Sequence, residues 1–219
     1  MTADQVIVRL QQLASPQVVE GMARFGITST NVLGISMPVL RKMARELGRD
    51  HVLALELWAS GLHEARILAS MVDDPHLVTE PQMEAWVNAF DSWDVCDQVC
   101  GNLFDKTPYA ISKALEWCHR EQEFVRRAGF VMMAELAVHD KQAGDEVFVQ
   151  FFPLIQQYAT DKRNFVKKAV NWALRQIGKR NSSLRVLALQ WAEEIKAMDS
   201  KTAQWVAKDA IRELQAIDQ

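Results

Sequence analysis

Asp161–Arg180 reads DKRNFVKKAVNWALRQIGKR, and the fold is most plainly decided there. Placed on a helix at about 100° per residue, the stretch separates into two faces. Val166, Ala169, Val170, Ala173, Leu174 and Ile177 form an apolar arc suited to burial against neighbouring helices. Phe165, Lys168, Trp172, Arg175 and Lys179 share a stripe of the other side, roughly 80° wide on the same wheel. Seven Lys and Arg stand against one acid, Asp161. A tryptophan central to a basic face does not serve core packing; it suits a surface that grips an anionic polymer and stacks on it.

The rest of the chain follows the same helical period. Thr2 opens a run to about Ala14, Ser15-Pro16 a second, and Ser36 with Pro38 a third that Gly48 ends, after a break from Gly26 to Gly34. These are N-cap, first-turn proline and C-terminal glycine signals. Asp50 caps a segment to Ala59, and Glu64–Val72 follows. Further helices are expected over Thr79–Phe90, Ser92–Phe104, Pro108–Arg120, Glu123–His139, Glu146–Tyr158, Arg163–Ile177, Ser182–Met198 and Thr202–Ile217. β-branched alternation bounded by turn residues is nearly absent, so no strand is expected. About a dozen helices joined by short turns predict an all-α chain of stacked helix pairs, a HEAT-like helical-repeat solenoid with a concave basic groove.

With 219 residues, 49% hydrophobic and 24% charged, the chain has ordinary globular composition and can bury a sizeable core. No Gly/Pro/Ser-rich linker interrupts it, so a single domain over 1–219 is expected. Three cysteines (Cys96, Cys100, Cys118) are too few for a disulfide framework and lack a second Cys/His pair at zinc spacing. They read as small buried hydrophobes. No signal peptide or membrane-spanning run is evident, and a monomer in the reducing cytoplasm is expected. The net charge is −3, but unevenly spread. Residues 1–110 hold 8 Lys and Arg against 14 Asp and Glu; residues 111–219 hold 17 against 14. Local charge steers a ligand more than the total does.

A second stretch, Asp91–Cys100 (DSWDVCDQVC), carries the candidate chemistry. Trp93 and Asp97 are i and i+4 and share a helix face; Asp94 points away and reads as a first-turn acid favoured by the helix dipole. A carboxylate beside an aromatic face stabilises a cation. Cys100 and Phe104 lie on the Trp93 face, however, so packing alone reads Trp93 as core. Trp58, Trp86, Trp117, Trp191 and Trp205 also read as core or inter-helix packing. Nucleophile elbows, Walker loops and dinucleotide fingerprints are missing, so no cofactor or metal is expected.

Taken together, these stretches resemble the AlkD family of HEAT-like DNA alkylation-repair glycosylases. The likeness rests on Met22-Ala23-Arg24-Phe25, Leu33-Gly34-Ile35 with Pro38, Ser92-Trp93-Asp94 with Asp97, Phe124-Val125-Arg126-Arg127-Ala128, and Asn164–Ala169 running on to Trp172 and Arg175. The resemblance implies hydrolysis of the N-glycosidic bond of cationic N3- and N7-alkylpurines in double-stranded DNA, without flipping the base into a pocket. By it, Asp97 is the catalytic carboxylate, Trp93 and Trp172 hold the lesion-bearing nucleotide, and Arg127 and Arg175 contact DNA. Arg126, Lys168, Lys179 and Phe25 join the expected DNA-binding set. Phe25 stands where the family's repair enzyme has a tyrosine, so that hydroxyl is absent. Two other readings of the same residues are a non-catalytic module binding damaged or branched DNA, and a protein-interaction scaffold.

Overall fold

In a computed structural model, which describes residues 1–29 and 31–218, the chain is all-α, with no strand among the described residues. It divides into two compact units, Met1–Thr107 and the residues from Pro108 onward.

The first unit holds α1 (Ala3–Gln12), α2 (Pro16–Ala23), α3 (Met37–Leu47), α4 (His51–Ala59), α5 (His63–Val72), α6 (Glu80–Asn88) and α7 (Trp93–Asn102), then a 3₁₀ turn at Phe104–Lys106. Thr2 and Asp50 cap as expected, whereas Ser15 and Ser36 stand at N-cap positions without a side-chain cap hydrogen bond. Thr2 forms a full capping box with Gln5, and Asp50 accepts from the Leu53 N–H at 3.0 Å. Helix α5 is the centre of this unit, packing on α1, α3, α4 and α7. A cluster of aromatic rings fills its core. Trp58 and Trp86 stack with centroids 4.0 Å apart and planes 3° from parallel, bordered by Phe90 and Phe104.

The second unit holds α8 (Ala110–Trp117), α9 (Glu123–His139), α10 (Asp145–Val149), α11 (Phe152–Tyr158), α12 (Asn164–Arg180), α13 (Ser182–Ala197) and α14 (Lys201–Gln215). Here α12 is central, packed on α9, α11, α13 and α14. All six residues of its expected apolar arc are fully buried. Buried Asn171 donates to the Val206 carbonyl at 2.9 Å, tying α12 to α14. Helices α8 and α9 approach so closely that a Cβ on Gly129 would lie 2.5 Å from the Cys118 nitrogen.

One expected helix is two. The run Glu146–Tyr158 breaks after Val149, because Pro153 has no N–H for the Val149 carbonyl and its ring would clash with it. Pro153 instead sits in the first turn of α11, where a missing donor costs nothing. The aromatic residues at this corner, Phe148, Phe151 and Phe152, are fully buried. The three cysteines are buried thiols, as their pattern implied. No described helix is long and apolar enough to cross a membrane.

Candidate nucleic-acid interface

In the first unit the candidate residues gather around the start of α7. Val95, Cys96, Val99 and Cys100 face inward and are fully buried, leaving Trp93 and Asp97 half-buried on the outer side. The packing reading of Trp93 as core therefore fails. Its face is shared with buried Cys100, but Trp93 is in the first turn, where the indole projects beyond the interior. Its N–H donates to the Phe25 carbonyl at 3.0 Å, fixing the ring against the end of the α2 region. The Phe25 ring itself is 71% exposed, so this residue offers its main chain to Trp93 and its side chain to solvent.

Three further ties hold this corner. Asp94, in the first turn of α7, meets Nε2 of buried His63 on α5 at 2.8 Å. Burial works against both charges, but the mutual hydrogen bond and attraction outweigh it. The His63 imidazole is raised above its ordinary value and the Asp94 carboxyl held below its own. Asp91 accepts from the Ser29 hydroxyl at 3.0 Å. Glu64, next to His63 and itself buried, accepts from three successive N–H groups of Leu33, Gly34 and Ile35 at 2.9, 2.6 and 3.2 Å. Sequence reading missed His63 and Glu64. A buried histidine or glutamate in an apolar helix is the only signal available, and its partners lie some 30 residues away.

In the second unit the basic stripe of α12 forms, but most of its cations are engaged. Trp172 is half-buried, as expected of an indole off the apolar arc, and Lys168 is exposed. Lys168 and Lys162 have no ion pair among the described residues. Phe165 packs against Phe124 of α9, centroids 5.7 Å apart. Arg175 and Lys179 both pair with Glu213 of α14, and Asp209 lies 3.8 Å from Arg175. Burial opposes the Glu213 charge, yet the bonds from Lys179 and Arg175 keep its carboxyl below the ordinary value. Arg180 covers Phe148 at 4.4 Å and donates to the Ala137 and Ala143 carbonyls. The stripe is thus less electropositive than its composition implies. The signal was an i, i+4 acid pair, Asp209 and Glu213, matching the i, i+4 cations Arg175 and Lys179; which helix it faced was not legible.

The two arginines of α9 are also committed. Arg126 binds Asp161 at 3.0 Å and the Cys118 carbonyl at 3.1 Å, with its guanidinium 4.7 Å from the Tyr158 ring. Arg127, expected to contact DNA, is buried at 5% exposure and donates to the Phe165 carbonyl. Its charge holds α9 to α12 at the residue where the aromatic-basic stripe begins. Of the five tryptophans assigned to packing, Trp58, Trp86 and Trp117 are buried and Trp191 stacks on Phe152. Trp205 is the exception, at 41% exposure.

A solved structure described as "a new family of proteins related to the HEAT-like repeat DNA glycosylases with affinity for branched DNA structures" superposes over 97% of this chain and 95% of its own, with a TM-score of 0.80 at 18% identity. That likeness establishes a HEAT-like repeat fold. Two uncharacterized proteins, from Listeria innocua and Listeria monocytogenes, are 27% and 24% identical over 139 residues. The match spans 62% of this chain and 62% of the length of each. The family model for the DNA alkylation repair enzymes runs over residues 6–214, through both units and every candidate residue named above. With fold, motif order and family model in accord, the chain belongs to the DNA alkylation repair enzyme family.

Proposed function

We propose that the protein excises cationic N3- and N7-alkylpurines from duplex DNA, with Asp97 as the electrostatic catalyst. The observation that carries this reading is the outer face of α7. It presents a fixed indole and, one turn on, a carboxylate, both partly open to solvent, above a fully buried inner face. An N-alkylated purine is already a good leaving group, so a general acid is scarcely needed. What remains is to stabilise the positive charge developing on the sugar and to position a water. A preorganised carboxylate does both, and indole faces favour the cationic sugar. In the second unit, α12 offers Trp172 as an indole of its own for DNA, with Lys168, Arg175 and Lys179 for the phosphates.

The second reading, a module that binds branched or damaged DNA without excision, has its own support. The structurally similar family is described by affinity for branched DNA. Phe25 lacks the hydroxyl of the repair enzymes, and the cations of α12 are largely paired. Incubation with methylated duplex DNA separates the two. Released 3-methyladenine and 7-methylguanine, lost in Asp97→Asn and reduced in Trp172→Ala, is the expected result. No release by the wild type at high enzyme concentration would sink the excision reading. Undiminished release by Asp97→Asn would sink only the role given to the carboxylate.

A further inference from the structure

Helix α12 is not the only one with an indole among cations. On α14, Lys201, Trp205, Lys208, Arg212 and Gln215 fall within a stripe about 80° wide, and all five are exposed. The helix is three-sided. Ala203, Val206, Ala207, Ala210 and Leu214 form its buried face. Asp209 and Glu213 form an acidic edge turned toward the cations of α12. The third face is the basic stripe, which no described helix covers. Lys201 and Lys208 have no ion pair among the described residues, and Arg212 pairs with Asp209 of its own helix.

Two neighbours extend this face. Lys167 of α12 places its ammonium 5.2 Å from the centroid of the Trp205 ring. Lys196 of α13, paired with Glu193 of its own helix at 2.9 Å, joins Lys208, Ile211, Arg212 and Gln215 in lining a cleft of about 460 Å³. Cations of α12 and α14 therefore flank one partly exposed indole, spread along about 16 Å of helix from Lys201 to Arg212. An indole stacks only on a base whose face is open. An intact duplex hides its base faces; a gap, overhang or branch exposes them.

We infer that the outer face of α14 binds an unpaired strand of DNA. Trp205 stacks on an exposed base, and Lys201, Lys208 and Arg212 take the adjoining phosphates. This rests on DNA being the partner, as proposed above, and is independent of whether any base is released.

Fluorescence anisotropy with labelled oligonucleotides tests it, comparing a blunt duplex with the same duplex carrying a single-stranded gap. The variants are Trp205→Ala and the triple Lys201→Ala/Lys208→Ala/Arg212→Ala. All four positions are exposed and alanine favours helix, and circular dichroism verifies the fold. Trp205→Ala is expected to weaken binding of gapped DNA between about fivefold and a hundredfold, leaving blunt duplex unchanged. The triple variant is expected to flatten the logarithmic salt dependence by about two. If the wild type binds gapped DNA and both variants match it in affinity and salt slope, this inference falls alone. If the wild type binds neither DNA, it falls together with the DNA reading. Preference for phosphatidylserine vesicles over gapped DNA, lost in the triple variant, assigns the face to an anionic membrane and overturns the proposal.

Discussion

Asp161 is the side chain whose removal tests the architecture of α12 most directly. It accepts from the Arg163 main-chain N–H and Nε, each at 3.0 Å, and from Arg126 of α9 at 3.0 Å. Its side chain is only 8% exposed. Burial alone would push its carboxyl up, but the Arg163 bonds and then Arg126 bring it down from 3.8 to about 2. That fall corresponds to about 2 kcal/mol of folding stability. Because the folded value lies below the ordinary one, that stabilisation is complete above about pH 4 and disappears as the pH falls through 2. Urea unfolding of wild type and Asp161→Asn at pH 7, 5, 3 and 2.5 reads the difference. The expected gap is about 2 kcal/mol at pH 7 and 5, narrowing steadily at pH 3 and 2.5, with unchanged m-values. A gap independent of pH, or none at pH 7, refutes the reasoning.

Gly129→Ala should cost about 1–3 kcal/mol in the same assay, because its Cβ meets main chain at Cys118 rather than a movable side chain; a neutral outcome means α8 and α9 are less tightly apposed. For His63 and Asp94 the signs are opposite. The share of His63 is present below its ordinary 6.5 and lost as the pH rises through its raised value. The share of Asp94 is present above 3.8 and lost as the pH falls through its lowered value. Asp94→Asn should therefore destabilise most near pH 5 to 6, and an equal cost at pH 5 and pH 9 contradicts the pairing. Glu213→Gln frees Arg175 and Lys179 from their shared carboxylate, so DNA binding through α12 should tighten and its salt dependence steepen. Unchanged affinity in that variant argues that α12 does not face the phosphates.

Local chemistry was legible from sequence; long-range pairing was not. The apolar arc of α12, the Thr2 and Asp50 caps and the burial of the cysteines each depend on residues within one or two turns. The period of hydrophobicity therefore carried the fold class. Trp93 shows the limit. Its wheel position matched buried Cys100, but a first-turn residue reaches past the interior, and the Phe25 carbonyl that holds it is 68 residues away. Trp205 shows the converse, an indole that helical context assigned to packing although its own stripe is cationic. The charge on α12 was overestimated for a related reason. Counting lysines and arginines says nothing of which carboxylates another helix brings to them, and Glu213 lies 38 residues from Arg175.

The Glu64 clasp bears on how such a fold can drift. Among the described residues its carboxylate grips three main-chain N–H groups and no side chain, so its hold on residues 33–35 is on their path. Ile35 is held by burial, and Gly34 by its backbone. For Gly34 the demand is conformational. Its φ is +77°, and a Cβ there would lie 2.5 Å from the Ser15 carbonyl oxygen. One acid and one glycine thus set the main-chain path of the turn, and Asn31 adds a side-chain bond to the Gly61 carbonyl at 3.4 Å. Shape here is inherited more cheaply than spelling, which is how a chain can keep its architecture while its words diverge.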